Sequence, residues 1–187
     1  MRRKDREMNQ EFAIGLIDKS PFGVLSIIDM DGQPYGIPLS LVRDDKFLYF
    51  HSAKGGKKAD SLSNGQSVWV TFVGTVDVPD LFSEEELQSF LTNESKASTL
   101  SSKVFTTEYE SAMILGKIYL VKEETESINA LRLLCEKYTP SKMPYFDLAV
   151  KEGLPKTNIY RIDIEEITSK RKKFDSSGEE MKWGRIE

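Results

Sequence analysis

Phe47-Leu-Tyr-Phe-His-Ser-Ala-Lys-Gly-Gly-Lys-Lys58 changes character halfway along its length. In the first half Phe47, Tyr49 and His51 alternate with Leu48 and Phe50, which predicts a strand that is apolar on both faces and covered on both. In the second half the chain turns at Gly55-Gly56, where missing side chains allow a tight turn or the close approach of a ligand. Lys54, Lys57 and Lys58 bring positive charge to that turn, and Ala59 and Leu62 begin a helical pattern. A strand that runs through small residues and lysines into a helix N-terminus suits a phosphate. It is not a Walker loop, because no Gly-Lys-Ser/Thr closes it. The same residues also fit an ordinary solvated turn. His51, the only histidine of the chain, fits a packed strand residue as well as a catalyst.

Upstream, Phe22 to Asp29 predicts a buried strand, which Asp31-Gly32 turns into a second one, Pro34 to Val42. Pro38 lies inside that second strand. A proline donates nothing to a ladder, so it marks an edge, a bulge or a place where something other than a strand lies alongside. Before the hairpin, Asn9 to Lys19 spaces Phe12, Ile14, Leu16 and Ile17 in a helical manner, and Ser20-Pro21 ends the helix.

Downstream, Ser67 to Val76 and Tyr109 to Val121 predict two more strands, with Gly116 as a bulge or close-approach point. The stretch 78–102 between them is an excursion with an acidic helix start at Ser83-Glu-Glu-Glu86. Such an excursion in a compact domain is usually functional or mobile. Glu124 to Tyr138 is an amphipathic helix stopped by Thr139-Pro140, and a second helical segment follows at about Tyr145 to Glu152. Asn158 to Ile167 alternates as a half-exposed antiparallel strand, and the tail is basic at Lys170-Arg-Lys-Lys173. The expected fold is mainly β with flanking helices. Hairpins in place of alternating βα units disfavour a doubly wound sheet. Six antiparallel strands would close into a small barrel to hide their edges.

The 187 residues suit one domain with a full core, or one subunit of a symmetric oligomer. A hydrophobic fraction of 39 % is that of a folded chain, and a net charge of −4 gives no sign of nucleic-acid binding. The single cysteine, Cys135, excludes an internal disulfide framework and reads as a small core residue of its helix. One histidine and one cysteine argue against a protein-only zinc site, and no metal is expected. No apolar run approaches the ~20 residues of a membrane span, and no hydrophobic segment follows the basic start as in a signal peptide. The expected location is cytoplasmic.

Four ordered blocks resemble the pyridoxamine 5′-phosphate oxidase-like FMN-binding split barrels, and within them the nitroimidazole-resistance branch. They are Gly23-Val-Leu-Ser26 with Pro34-Tyr-Gly-Ile-Pro-Leu-Ser40; Phe50-His-Ser-Ala53 with Gly56-Lys-Lys58; Lys103 to Ala112 with Gly116-Lys117; and Leu133-Leu-Cys-Glu-Lys-Tyr138 followed by Asp163-Ile-Glu-Glu-Ile-Thr168. The resemblance implies a six-stranded antiparallel split β-barrel over residues 1–172, with a tail at 173–187. It implies that Pro38, Leu39, Ser40 and Leu41 line the isoalloxazine of FMN, Pro38 thereby gaining a reason to be there. His51, Ser52 and Ala53 would lie beside the flavin and its ribityl phosphate, and Lys57 and Lys58 would pair with the phosphate. Glu110, Ser111 and Ala112 match a segment that reaches the flavin from the second subunit, so a homodimer would complete the site. Trp183 and Arg185 are similar to a tryptophan and an arginine near the oxidase C-terminus, though a packed tail explains them equally well.

The chain departs from the true oxidase where an arginine-serine-arginine-lysine clamp is thinned to Gly-Lys-Lys, which weighs against oxidation of pyridoxamine phosphate. The activity implied is an FMN-dependent oxidoreductase that takes electrons from NAD(P)H or another donor and passes them to small nitro-aromatic or quinone-like acceptors, with His51 as proton donor. The alternatives are an oxidase of B6-like amines and a non-enzymatic flavin- or haem-binding protein.

Overall fold

The computed structural model of the chain describes residues 2–186. Helix α1 (Gln10–Lys19) is capped by Asn9, whose side chain accepts from the Phe12 amide, and stops ahead of Pro21. The hairpin of β1 (Gly23–Ile28) and β2 (Pro34–Leu39) follows, with Gly32 at φ +75° in its turn. After a corner at Ser40-Leu41 come β3 (Val42–Asp44), β4 (Phe47–Ala53), the single-turn helix α2 (Lys57–Asp60) and β5 (Gln66–Asp77). The excursion holds α3 (Glu84–Leu91) and α4 (Ala97–Thr99). Then follow β6 (Glu108–Leu120), α5 (Glu124–Tyr138), α6 (Phe146–Gly153) and β7 (Thr157–Lys172).

All strands join one antiparallel sheet in the order β2-β1-β5-β6-β7-β4-β3. It has seven strands, not the six expected, and it is not closed. The additional strand comes from residues 34–42, which the sequence suggests as one run. The run breaks because α5 takes up the backbone of Leu41. Its N–H donates to Tyr138 Oη at 3.0 Å, and its carbonyl accepts from Tyr138 Oη at 2.8 Å and Lys137 Nζ at 3.0 Å. Neither group is left for a ladder, so β2 ends on one sheet edge and β3 begins on the other.

Two edges joined by only Ser40-Leu41 force the sheet to curl until they meet at that corner. Beyond it, β3 pairs only with Phe47–Tyr49 of β4, so Phe50–Ala53 and β2 face each other across a split. The loop after β4 is clasped across the far end of that split. Lys57 Nζ lies 2.8 Å from the buried carboxylate of Asp29 and 4.8 Å from the centre of the Tyr35 ring. The other oxygen of Asp29 accepts from the Asp31 and Gln33 amides and fixes the β1–β2 turn.

Inward residues such as Leu25, Leu48, Phe50, Val70, Phe72 and Ile114 fill the curl, and Ala13 and Ile17 of α1 close one end. A second cluster of Tyr49, Ala130, Leu134 and Ile159 packs α5 on the outer face of β4 and β7. Strand β4 is thus covered on both faces, as its composition suggests. The outer face of β2-β1-β5-β6 is open and carries Ile28, Trp69, Val73 and Met113. The tail beyond β7 is tied to the N-terminal turn by the Arg6–Glu180 ion pair and by the Trp183 amide, which donates to the Asp5 carbonyl at 2.7 Å. No helix of the described residues is long and apolar enough to cross a membrane.

Gly116 marks a register shift in the β6–β7 ladder, and a Cβ there would fall against the Asp163 carbonyl and 2.7 Å from Ile162 Cγ2. Gly116→Ala is therefore expected to cost about 1–3 kcal/mol, seen as a lower urea midpoint at unchanged slope. Lys57, and after it the Gln33 amide, hold the Asp29 carboxyl below its ordinary value. A carboxyl lowered in the folded state contributes stability above its unfolded pKa and loses it as pH falls below about 4. Asp29→Asn is expected to be less stable at neutral pH and to show a shallower fall of Tm in acid.

Candidate functional site

Strand alternation throws the imidazole of His51 outward, opposite Ile159 in the β4–β7 ladder. There it borders a cavity of about 350 Å³ between β4, α5 and α6. The walls are mostly apolar: Leu131 and Cys135, one turn apart on α5, face Phe146, Val150 and Leu154. Thr139 and Lys142 add polar groups at the lip. Buried Phe146 anchors α6, with the guanidinium carbon of Arg132 at 4.3 Å from its ring centre. The ring of His51 is solvent-exposed at its outer side, yet the adjoining walls desolvate it, and this together with the Lys58 charge lowers its pKa. Its charged form is therefore displaced toward more acid pH than that of an ordinary imidazole.

The turn after β4 divides its lysines between two tasks. Gly56 stands ahead of α2 at φ +98°, a conformation that favours glycine. The leading amides of α2 have no carbonyl one turn behind them. Lys57 is engaged by Asp29 and Tyr35, as described above. Lys58 is half-buried, with Nζ 5.9 Å from the centre of the Phe50 ring, and burial lowers its pKa. Among the described residues no carboxylate pairs with it. Lys58 and the exposed Lys54 are thus the cations left for an anion. A phosphate monoester fits this arrangement of free amides and an unpaired ammonium.

Val42 pairs with Tyr49, so Ser40, two residues back, stands level with His51 across the corner. Pro38 and Ser40 are exposed, whereas the side chains of Leu39, Leu41 and Ser52 are buried in the curl. For those three only backbone could meet a ligand, and at Leu41 that backbone is already bonded to Tyr138 and Lys137. Of the expected residues, His51 and Lys58 stand near enough for the ammonium to act on the imidazole.

Glu110, Ser111 and Ala112 lie elsewhere. They pair with Arg171, Lys170 and Ser169, whereas Ala53 pairs with Thr157, so roughly 40 Å of β7 contour separates the two groups. Ala112 is buried, Ser111 is half-buried on the outer face of the sheet, and Glu110 turns toward Leu16 beside Gly74. Trp183 is exposed in the tail, at φ +57°, beside Asp5 and on the Glu110 side of the molecule. Arg185 is bonded to Asp175 in the same tail.

Sequence reasoning missed the α5–α6 wall and the two devices that frame the split. Cys135, read as a core residue, is half-buried and lines the cavity. Its spacing from Leu131 and Thr139 was a usable signal, since residues four apart share a helix face. Nothing in the sequence links Lys57 to Asp29, or Tyr138 to Leu41.

No curated protein matches the sequence. Among solved structures, a candidate 5-nitroimidazole antibiotic resistance protein from Bacteroides thetaiotaomicron superposes with a TM-score of 0.63 at 21 % identity, covering 87 % of this chain and 84 % of that one. An FAD and heme binding protein from Mycobacterium smegmatis gives a TM-score of 0.68 at 17 % identity, over 89 % of this chain and 73 % of that one. The flavocytochrome Anf3 from Azotobacter vinelandii gives 0.65 at 18 % identity, over 91 % and 72 %. At such identities the likeness concerns the fold. The sequence model described as pyridoxamine 5′-phosphate oxidase matches residues 10–171, nearly the whole sheet and both helices of the cavity, and the chain belongs to that family.

Proposed function

We propose that this chain is an FMN-binding oxidoreductase that takes electrons from NAD(P)H or another donor and reduces small nitro-aromatic or quinone-like acceptors. The observation that carries the reading is the half-buried Lys58, without a carboxylate partner among the described residues, beside the leading amides of α2 at one end of a split whose β4 edge carries His51. The phosphate of FMN would sit on Lys58 and those amides, and its ring against Pro38, Ser40 and His51. A bound FMN supplies the electron transfer itself. The protein orients it, excludes water with the Leu131 and Phe146 walls, and holds a proton on the His51 imidazole for delivery to an oxygen of the acceptor.

The active unit is a homodimer with the flavin site at the subunit interface. Three features support this: the open apolar face of β2-β1-β5-β6, the exposed Trp183, and the β7 contour that keeps Glu110–Ala112 from the His51 side of their own chain. Engagement of Lys57 by Asp29 leaves the phosphate clamp thinner than the sequence alone suggests, which further disfavours an oxidase of pyridoxamine phosphate. A histidine at the mouth of an apolar cavity also suits an axial haem ligand, and two proteins of this fold are named as heme binding or flavocytochrome. A non-enzymatic flavin- or haem-binding protein is thus the second reading.

Titration of apoprotein with FMN tests the phosphate site. Lys58→Met is expected to raise Kd by tenfold or more, the ~1.5–3 kcal/mol of a charged hydrogen bond, while Lys57→Met mainly lowers Tm. An unchanged Kd for Lys58→Met removes the phosphate site. His51→Ala is expected to keep FMN and slow turnover. Because the His51 pKa lies below its ordinary 6.5, the protonated donor is lost as pH rises through that lowered value, so turnover should fall with rising pH across the acid range. The Ala variant should lack that limb, and equal turnover in both proteins makes His51 a packing residue.

A further inference from the structure

The arm between β5 and β6 is built as a small body of its own. Ser83 and Glu86 form a capping box at the start of α3. Phe82 and Phe90 pack edge to face at 5.2 Å, with Lys96 Nζ 5.0 Å from the centre of the Phe90 ring. Neither core cluster of the sheet includes a residue of this arm. Its polar ties to its own chain among the described residues are the Asp77–Glu108 end of the β5–β6 ribbon, a bond from Lys103 Nζ to the Gly178 carbonyl at 2.7 Å and one from Lys172 Nζ to Thr106 Oγ1. Yet Leu91 is 75 % and Phe105 81 % exposed, with Val76 and Val78 exposed on the stalk. An ordered body with so much apolar surface in water is suited to burial against another surface.

Charge selects that surface. Asp77, Asp80, Glu84 and Glu85 of the arm have no cation partner among the described residues. Around the His51 cavity the balance is reversed. Asp147 pairs with Arg132 and Glu152 with Lys156, and Glu124 beside Lys151 has no cation partner, while Lys54, Lys142 and Lys151 have no ion-paired carboxylate among the described residues, so the unpaired charge is net positive. The same rim exposes Tyr145 and Leu148. The arm does not reach this rim in its own chain. It leaves the sheet level with Arg171 and Lys172 of β7, roughly 45 Å of strand contour from Thr157 at the cavity, and neither α3 nor α4 packs on α5 or α6.

We propose that the arm of one chain docks on the α6 face of a second copy, Leu91 and Phe105 against Tyr145 and Leu148, the acidic turn against the lysines. Each subunit then closes its partner's His51 cavity. The inference rests on the two-fold association proposed above, and its test does not depend on flavin. Asp77 and Glu108 are register partners, so residues 78–107 can be replaced by an Asn-Gly turn that closes the ribbon. Hydrogen exchange of the amides of residues 146–153 is measured in the full chain and in this variant at equal concentration, alongside the mass in solution.

The full chain is expected to be a dimer, with these amides exchanging about tenfold or more slowly than in the armless variant. Leu91→Glu with Phe105→Glu, at positions too exposed to disturb the fold, should reproduce the faster exchange and carries the test alone if the armless chain does not fold. A dimer whose α6 exchange is the same in all variants overturns the docking and leaves the two-fold association standing. A monomeric full chain overturns both.

Discussion

The corner at Leu41 is the constraint on which the site depends. Tyr138 and Lys137 bond both backbone groups of Leu41, and Lys137 also donates to the Ile17 carbonyl at 3.3 Å, near the end of α1. An ammonium held by two carbonyls is partly desolvated, and burial lowers the Lys137 pKa accordingly. This knot joins α1, the β2–β3 corner and the end of α5. It turns a strand that would have continued into two opposite sheet edges, and so produces the split.

A second polar contact holds the other end of the split. Lys57 and Asp29 bind the loop after β4 to the β1–β2 turn. With both ends fixed, Phe50–Ala53 can neither pair with β2 nor move far from it. The unpaired edge of β4 therefore remains open at the place where His51 and Lys58 stand. The two neighbouring lysines carry different work: Lys57 shapes the loop, and Lys58, partly desolvated beside Phe50, remains available to an anion.

Much of this was legible in the sequence, for identifiable reasons. Asp31-Gly32 specifies its turn because glycine alone enters that conformation without cost, and the hairpin register follows. The two-faced apolar pattern of Phe47–Phe50 is explained by a core on one side and α5 on the other. The break at Ser40-Leu41 was not legible, because its cause lies in hydrogen bonds from residues nearly a hundred positions away. The same limit applies to Lys57, whose partner is fixed by tertiary structure, and to Cys135, where helical periodicity names the face but not the gap that α6 leaves beside it. Pro38 was read as an edge, a bulge or a place where something other than a strand lies alongside, and of these the structure shows an edge strand, with Pro38 exposed.

The most direct measurement is the visible absorption of the protein as first purified, with the pigment identified after denaturation. Bands near ~450 nm and release of FMN are the result that the proposed flavin chemistry requires. A Soret band in their place would move the function to haem and make His51 its ligand. A colourless protein that also fails to take up added FMN would contradict the flavin reading and leave the lysine-glycine turn as a turn.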